Sequence, residues 1–222
     1  ISVPEAESLG RQAYCQLRDR ILAGKLQPGE RLSLRGMANS LGMSMAPVGE
    51  ALRELSRDGL VELEPGWGTR VRQLDAESLH SQHVLRTALE CEAARQCAVR
   101  ASESQLAELF RLAESLDEAI DSHSSPEQVS ELDSRFHLQI AELAKAPSLV
   151  QALRSNQLVR LLARGSEIAH HVNRPAGQHV VLVKALQSRD PAVAEDAMRQ
   201  HCLESMRLQM QKAGFGNWLP DL

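Results

Sequence analysis

Aromatic residues are scarce in this chain of 222 residues: one Tyr, two Trp and three Phe make up 3% of it. All-β sandwiches and barrels favour aromatic and β-branched residues, so this scarcity argues against them. No run of 18 apolar residues occurs and no basic segment followed by an apolar stretch opens the chain, so neither a transmembrane helix nor a signal peptide is expected. The four cysteines lack CxxC spacing, which predicts a reduced, cytoplasmic protein with free thiols.

Charge is unevenly distributed along the chain. The net charge of −4 does not by itself suggest a nucleic-acid partner. Residues 1–72, however, carry ten Lys/Arg against nine Asp/Glu, whereas residues 73–222 carry 15 against 20. The hydrophobic fraction of 43% is enough to form a core and argues against a disordered chain. The composition therefore favours a near-neutral N-terminal part joined to an acidic remainder.

The N-terminal part has the pattern of a small α/β domain. Apolar spacing, capping residues and glycines predict three helices, over about residues 6–23, 34–41 and 45–57. Two short alternating segments, 60–63 and 69–72, flank a Pro- and Gly-rich turn and predict a two-stranded wing. This order is typical of a winged helix-turn-helix, in which the third helix enters the major groove of DNA. The same order also suits a helical hairpin used only for packing.

From residue 75 onward the pattern is helical throughout. Capping signals such as Ser102 with Gln105, and prolines at first helical positions, mark the helix starts. About six helices are expected, over residues 75–101, 103–122, 126–144, 147–171, 177–188 and 191–212. The predicted fold is mainly α: a winged helix-turn-helix domain over 1–73 and an all-helical bundle over 74–222.

Four residues of the second part have the spacing of metal ligands. Asp133 and His137 are four residues apart on one predicted helix and so project from one face. His179 and His201 are equidistant from the turn at Asp190, so antiparallel helices on either side of it would bring them to the same height. One carboxylate and three imidazoles suit Zn²⁺, Ni²⁺, Mn²⁺ or Fe²⁺. The alternative is that these are ordinary surface or core residues.

A longer pattern runs through residues 10–72. Its parts are Ile21-x-x-Gly24-x-Leu26-x-Pro28-Gly29-x-x-Leu32, Leu41-Gly42-x-Ser44, Ala46-Pro47-Val48-x-Glu50-Ala51-Leu52, Asp58-Gly59-Leu60-Val61 and Gly66-x-Gly68-x-x-Val71. It closely resembles the GntR family of bacterial transcription regulators. The resemblance implies a homodimer that binds a pseudo-palindromic operator in double-stranded DNA. The candidate DNA-binding residues are Arg35, Ser44, Met45, Ala46, Pro47, Arg53, Trp67 and Arg70.

Two positions depart from that family's pattern. Family members usually carry Arg where this chain has Met45 and Gly49, and Arg is the usual reader of guanine. The change is expected to weaken or alter operator readout. Arg35 matches the family's contact at the start of the second helix. Arg53 equally suits a solvated helix face, and Trp67 equally suits packing against the domain.

The second part resembles the FCD effector domain of the FadR branch of GntR regulators. The residues that carry the resemblance are Arg86-x-x-x-Glu90, Asp133-x-x-Phe136-His137, His179 and Asp190-x-x-x-Ala194-x-x-x-Met198-x-x-His201. The resemblance implies a bundle in which Asp133, His137, His179 and His201 bind a divalent metal, beside a small organic-acid effector. Arg86 is expected to pair with an effector carboxylate, or alternatively with Glu90 alone. Arg164 and His170 are further candidates for effector binding.

The leading hypothesis is a ligand-responsive bacterial transcription regulator, with repression relieved by the effector as the expected mode. A direct metal-sensing regulator and a weak, degenerate DNA binder are alternatives. A metal-dependent enzyme is a further alternative, since such a ligand set can activate water. The absence of an obvious general base beside the ligands, together with a DNA-binding head, argues against an enzyme.

Overall fold

The computed structural model describes residues 8–64, 68–73, 75–122, 124–165, 177–212 and 214–216. The chain divides into two units, Ile1–Asp75 with Leu158–Ile168, and Ala76–Gln157 with Ala169–Leu222. The elements found among the described residues of the N-terminal part are α1 Leu9–Leu22, β1 Arg31–Leu32, α2 Leu34–Leu41, α3 Met45–Arg57, β2 Val61–Glu64 and β3 Gly68–Val71. Those that follow are α4 Ala76–Arg100, α5 Glu103–Asp121, α6 Pro126–Leu143, α7 Pro147–Gly165, α8 Gln178–Gln187 and α9 Pro191–Lys212.

The first unit is built on the packing of α1 against α3. The apolar faces of these two helices supply most of its core: Ala13, Leu17, Ile21, Val48, Ala51, Leu52 and Leu55. The Ser33 hydroxyl accepts a hydrogen bond from the Gly36 N–H at 3.0 Å and so caps α2. Gly42 ends α2 in the left-handed region, with φ of 63°, where glycine is favoured. These local signals confirm the predicted order of three helices.

The sheet has one strand more than predicted. The strand order is β1-β3-β2 and both pairings are antiparallel, with Val61 opposite Val71 and Arg31 opposite Arg70. A two-stranded wing was therefore an incomplete prediction. A strand of two residues is too short to show alternation in sequence, and only its pairing with β3 defines it. Its Leu32 is buried in the core of the unit.

The helices of the second unit start and end within a residue or two of their predicted positions wherever the structure describes them. At α5 the capping box is complete, because Ser102 Oγ accepts from the Gln105 N–H while the Gln105 side chain accepts from the Ser102 N–H. Residues 166–171, the end of the fourth predicted helix, lie outside the described residues. Among the described helices, none is long and apolar enough to cross a membrane.

The core of the second unit lies between α4, α5, α6, α8 and α9, with α4 packed along α9. Three cysteines are small core residues there: Cys91, Cys97 and Cys202. Burial raises the pKa of the Cys91 thiol to about 11 and that of the Cys97 thiol to about 12. The thiols of Cys91 and Cys97 are therefore protonated, packed side chains at neutral pH.

A tight turn joins α8 to α9. Arg189 adopts a positive φ of 62°. The Asp190 carboxylate then accepts from the backbone N–H groups of Ala192 at 2.8 Å and Val193 at 3.3 Å, which caps α9. Pro191 occupies the first helical position, where its missing N–H is not needed. The turn lays α8 and α9 side by side in opposite directions.

Candidate functional site

Four of the predicted residues meet in the interior of the second unit. Asp133 and His137 lie one turn apart on α6, His179 lies near the start of α8 and His201 lies on α9; each is at most 6% exposed. Nε2 of His137 and Nε2 of His179 each lie 3.7 Å from Asp133 Oδ1. Nε2 of His201 lies 3.3 Å from Nε2 of His137. One nitrogen from each imidazole falls within 4.8 Å of the other two.

The α8–α9 hairpin brings the two later histidines together. His179 and His201 are equidistant from Asp190 in sequence, and their ring centroids are 4.9 Å apart. Phe136, fully buried on α6, packs edge-on against the rings of His137 and His179, with centroids 5.4 and 5.2 Å away. The aromatic edge therefore holds two of the imidazoles in place.

Two further carboxylates contact the far side of the imidazoles. Glu90 Oε2 lies 2.5 Å from Nδ1 of His137, and Asp117 Oδ1 lies 2.6 Å from Nδ1 of His179. At His179 the hydrogen bond between Nδ1 and Asp117 favours the tautomer with the proton on Nδ1, which leaves the lone pair on Nε2. Nδ1 of His137 lies close to Glu90 but makes no hydrogen bond. The lone pair of His137 is placed on Nε2 by Nη2 of Arg86, which lies 3.1 Å away and can only donate. Neither carboxylate was predicted from the sequence to contact an imidazole.

Asp117 also caps a helix. Its Oδ2 accepts from the Val180 N–H at 3.1 Å, and its Oδ1 accepts from the His179 N–H at 3.4 Å. These are N–H groups of the first turn of α8, whose N-cap residue, Gly177, has no side chain to serve them. One signal was available in the sequence: Asp117 follows Leu116 on the apolar face of α5, where an acidic residue is unusual.

Arg86 is fully buried beside the same cluster. Its Nε donates to Glu90 Oε1 at 2.5 Å, its Nη1 donates to Ser205 Oγ at 3.1 Å, and its Nη2 lies 3.1 Å from Nε2 of His137. Burial lowers the pKa of Arg86, but the charges of Glu90 and Asp133 outweigh that effect and hold it above its ordinary value. The Glu90 ion pair is thus present, and the guanidinium also reaches the imidazole cluster.

The start of α3 presents the candidate DNA-binding residues of the first unit. Ser44 stands at the N-cap position, but its side chain makes no capping hydrogen bond. Met45 is 55% exposed, and Ala46 and Arg53 are exposed on the same helix, with Pro47 half-buried. Arg35, near the start of α2, is exposed as well. This end of α3 is therefore open to a ligand.

The remaining candidate residues either contact their own domain or lie outside the described part of the chain. Arg70 is half-buried and its Nη1 donates to the Gly29 carbonyl oxygen at 2.9 Å, so it braces the wing against the turn before β1. Trp67 and His170 lie outside the described residues, as does the side chain of Arg164 on α7.

Comparison with known proteins agrees with both halves of this description. Residues 9–71 match the family described as bacterial regulatory proteins, gntR family, and residues 83–204 match the FCD domain. The HTH-type transcriptional repressor RspR of Escherichia coli (strain K12) is 30% identical over 205 residues, 89% of this chain and 87% of RspR. The HTH-type transcriptional regulator McbR of the same organism is 28% identical over 208 residues, 91% of this chain and 90% of McbR.

The fold is also that of a solved relative. The structure of E. coli McbR/YncC superposes with a TM-score of 0.73 at 23% identity, covering 94% of this chain and 100% of that one. The FCD match spans more than half of the chain, and the gntR match covers the helices and wing that precede it. This chain therefore belongs to the GntR family: it is a DNA-binding transcription regulator with a C-terminal FCD domain, and not an enzyme.

Proposed function

We propose that this protein is a ligand-responsive repressor of the FadR branch, which binds a pseudo-palindromic operator as a homodimer. Its second unit would hold one divalent metal and a small organic-acid effector. The observation that carries the proposal is the buried cluster of His137, His179 and His201, with Asp133 Oδ1 3.7 Å from Nε2 of the first two. RspR, which is related to this chain over most of its length, is named a transcriptional repressor, and this supports repression rather than activation.

The residues present fit a divalent cation. A neutral imidazole binds metal through one nitrogen while its other N–H is held by a carboxylate, and His179 has such a carboxylate, Asp117, on Nδ1. Three buried carboxylates, Glu90, Asp117 and Asp133, lie close to the imidazoles, and one buried guanidinium, Arg86, lies beside them. A divalent cation suits a buried site in which carboxylates outnumber cationic side chains.

The donor set limits which ion is suitable. Three imidazoles and one carboxylate suit Zn²⁺, Ni²⁺, Mn²⁺ or Fe²⁺ better than Mg²⁺ or Ca²⁺, which prefer oxygen. Bound there, the ion would supply a Lewis-acid centre, and an ion that takes more than four ligands would also accept an effector carboxylate. Arg86 would pair with the same carboxylate, because an ion on Nε2 of His137 would release Nη2, which now lies 3.1 Å from that nitrogen. By linkage, effector and operator would change each other's affinity by the same factor.

The first test is the metal content of the full chain, purified without chelators or a His-tag. Elemental analysis and native mass spectrometry are expected to find about one divalent metal per chain and a co-purified small acid. His137→Ala and His179→Ala should each abolish metal binding, whereas His80→Ala, an imidazole outside the cluster, should retain it. Stoichiometric metal in either of the first two variants would contradict the assignment.

The second test concerns DNA. Titration of the full chain with its selected operator and with random duplex at physiological salt is expected to show a preference of at least ~10³ for the operator. The effector identified by mass spectrometry should weaken operator binding. An effector that strengthens it would make the protein a co-repressor-dependent regulator rather than an effector-released repressor.

A further inference from the structure

The exposed end of α3 is apolar. Met45 is 55% exposed, Ala46 next to it is exposed, and Leu34 at the start of α2 is 39% exposed. A Cβ atom built on Gly49 would lie 3.8 Å from Leu34 Cδ1, so the leucine lies against the bare backbone of α3. Leu34, Met45, Ala46 and Gly49 together form an apolar reading face.

Positive charge is confined to the other end of the helix. Within α3, arginines occur only at positions 53 and 57 and no lysine occurs. Nη1 of Arg53 lies 3.7 Å from where a Gly49 Cβ would be, so this guanidinium folds back toward the apolar reading face. Ser44 adds a hydroxyl that makes no capping bond. The first two turns of α3 therefore present methyl groups, one hydroxyl, the edge of one guanidinium and the carboxylate of Glu50, which lies against Gly10 of α1.

We infer that the apolar reading face contacts thymine C5-methyl groups, so the operator half-site carries T·A pairs where arginines would read guanine. Thymine is the only base whose major-groove edge bears a methyl group, and apolar side chains are its partners. At the same place, N7 and O6 of guanine would lose their hydrogen bonds to water, and an apolar side chain offers no donor in exchange. Guanine is therefore disfavoured there. The inference rests on the proposed role of α3 as the operator-reading helix.

The experiment uses the full chain and a random-duplex selection, followed by replacement of thymine with deoxyuridine at each selected position. Deoxyuridine lacks only the methyl group. Replacing a contacted thymine should lower the affinity of the protein for the operator about fourfold, which is the effect of removing one buried methyl group. In Met45→Ala the loss at one thymine should shrink toward none. In Met45→Arg the selected base at that position should shift toward G.

Two controls distinguish a change in base recognition from a change in protein stability. Met45 is more than half exposed, so its substitution should leave the thermal melting curve unchanged, and Val181→Ala, at an equally exposed apolar residue of the second unit, should leave the selected sequence unchanged. Specific binding to half-sites with G at these positions, and indifference to deoxyuridine, would overturn the inference while leaving operator binding intact. Failure to select any sequence would overturn both.

Discussion

Replacing Asp117 with asparagine would change the chemistry of the cluster with almost no change in side-chain size. The carboxylate serves three donors: Nδ1 of His179 at 2.6 Å, the His179 N–H at 3.4 Å and the Val180 N–H at 3.1 Å. An amide has only one acceptor oxygen, so in either orientation its NH₂ faces at least one of these donors. A buried donor without an acceptor costs about 1–3 kcal/mol, and the free energy of unfolding of Asp117→Asn should fall by that amount.

The same variant should also bind metal more weakly. Without the carboxylate, the ring of His179 is less firmly oriented and its Nε2 is a weaker donor. Loss of such an outer partner typically lowers metal affinity about 10–100-fold. Urea unfolding in excess chelator measures the stability change of the metal-free protein. Competition with a chromophoric chelator, using Zn²⁺ as the probe, measures the affinity.

Glu118→Gln is the matched control, because Glu118 is exposed on the next position of the same helix and the substitution removes the same charge. It should change neither quantity. A wild-type affinity for Zn²⁺ in Asp117→Asn would refute the reasoning that His179 is a metal ligand held by this carboxylate. If the free energy of unfolding falls while the affinity for Zn²⁺ is unchanged, the role of Asp117 is limited to capping α8.

Three further predictions concern other parts of the chain. Gly49→Ala should stabilise the protein by about 0.5–1 kcal/mol in urea unfolding, because α3 is helical there and the nearest atoms to the new Cβ are 3.7 and 3.8 Å away. Burial, with the hydrogen bond to Asp58 at 2.5 Å, raises the pKa of Tyr14 above 10.0. The neutral phenol therefore contributes fully to the free energy of unfolding below about pH 10, and this contribution is lost as pH rises further. Tyr14→Phe should lower the free energy of unfolding by about 1–2 kcal/mol at pH 8 and should show less of this alkaline decline. Thiol labelling of the native protein at pH 8 should modify Cys15, which is half-buried, far faster than the three buried cysteines, whereas all four should react in denaturant.

Much of the fold was predictable because its signals are local. Serine caps, first-turn prolines and a left-handed glycine act on backbone groups a few residues away, so Ser33, Gly42 and Ser102 mark real helix ends. The pairing of Asp133 with His137, and of His179 with His201, was predictable for a similar reason, whereas the meeting of the two pairs was implied only by the FCD resemblance. A spacing of four residues on α6 and a symmetric hairpin about Asp190 are both readable as periodicity and turn geometry.

Other features depend on contacts between distant parts of the chain. Asp117 lies 62 residues from His179, and Glu90 lies on a different helix from the imidazole that it contacts, so no local pattern pairs them. The strand β1 exists only because β3 pairs with it, and Arg86 is buried only because α4 and α9 close around it. The sequence alone therefore determined the helices and the two local pairs of candidate ligands, through hydrogen bonds and spacings within a few turns. Tertiary packing alone decided which carboxylates hold the imidazoles, because burial and charge pairing act across the whole core.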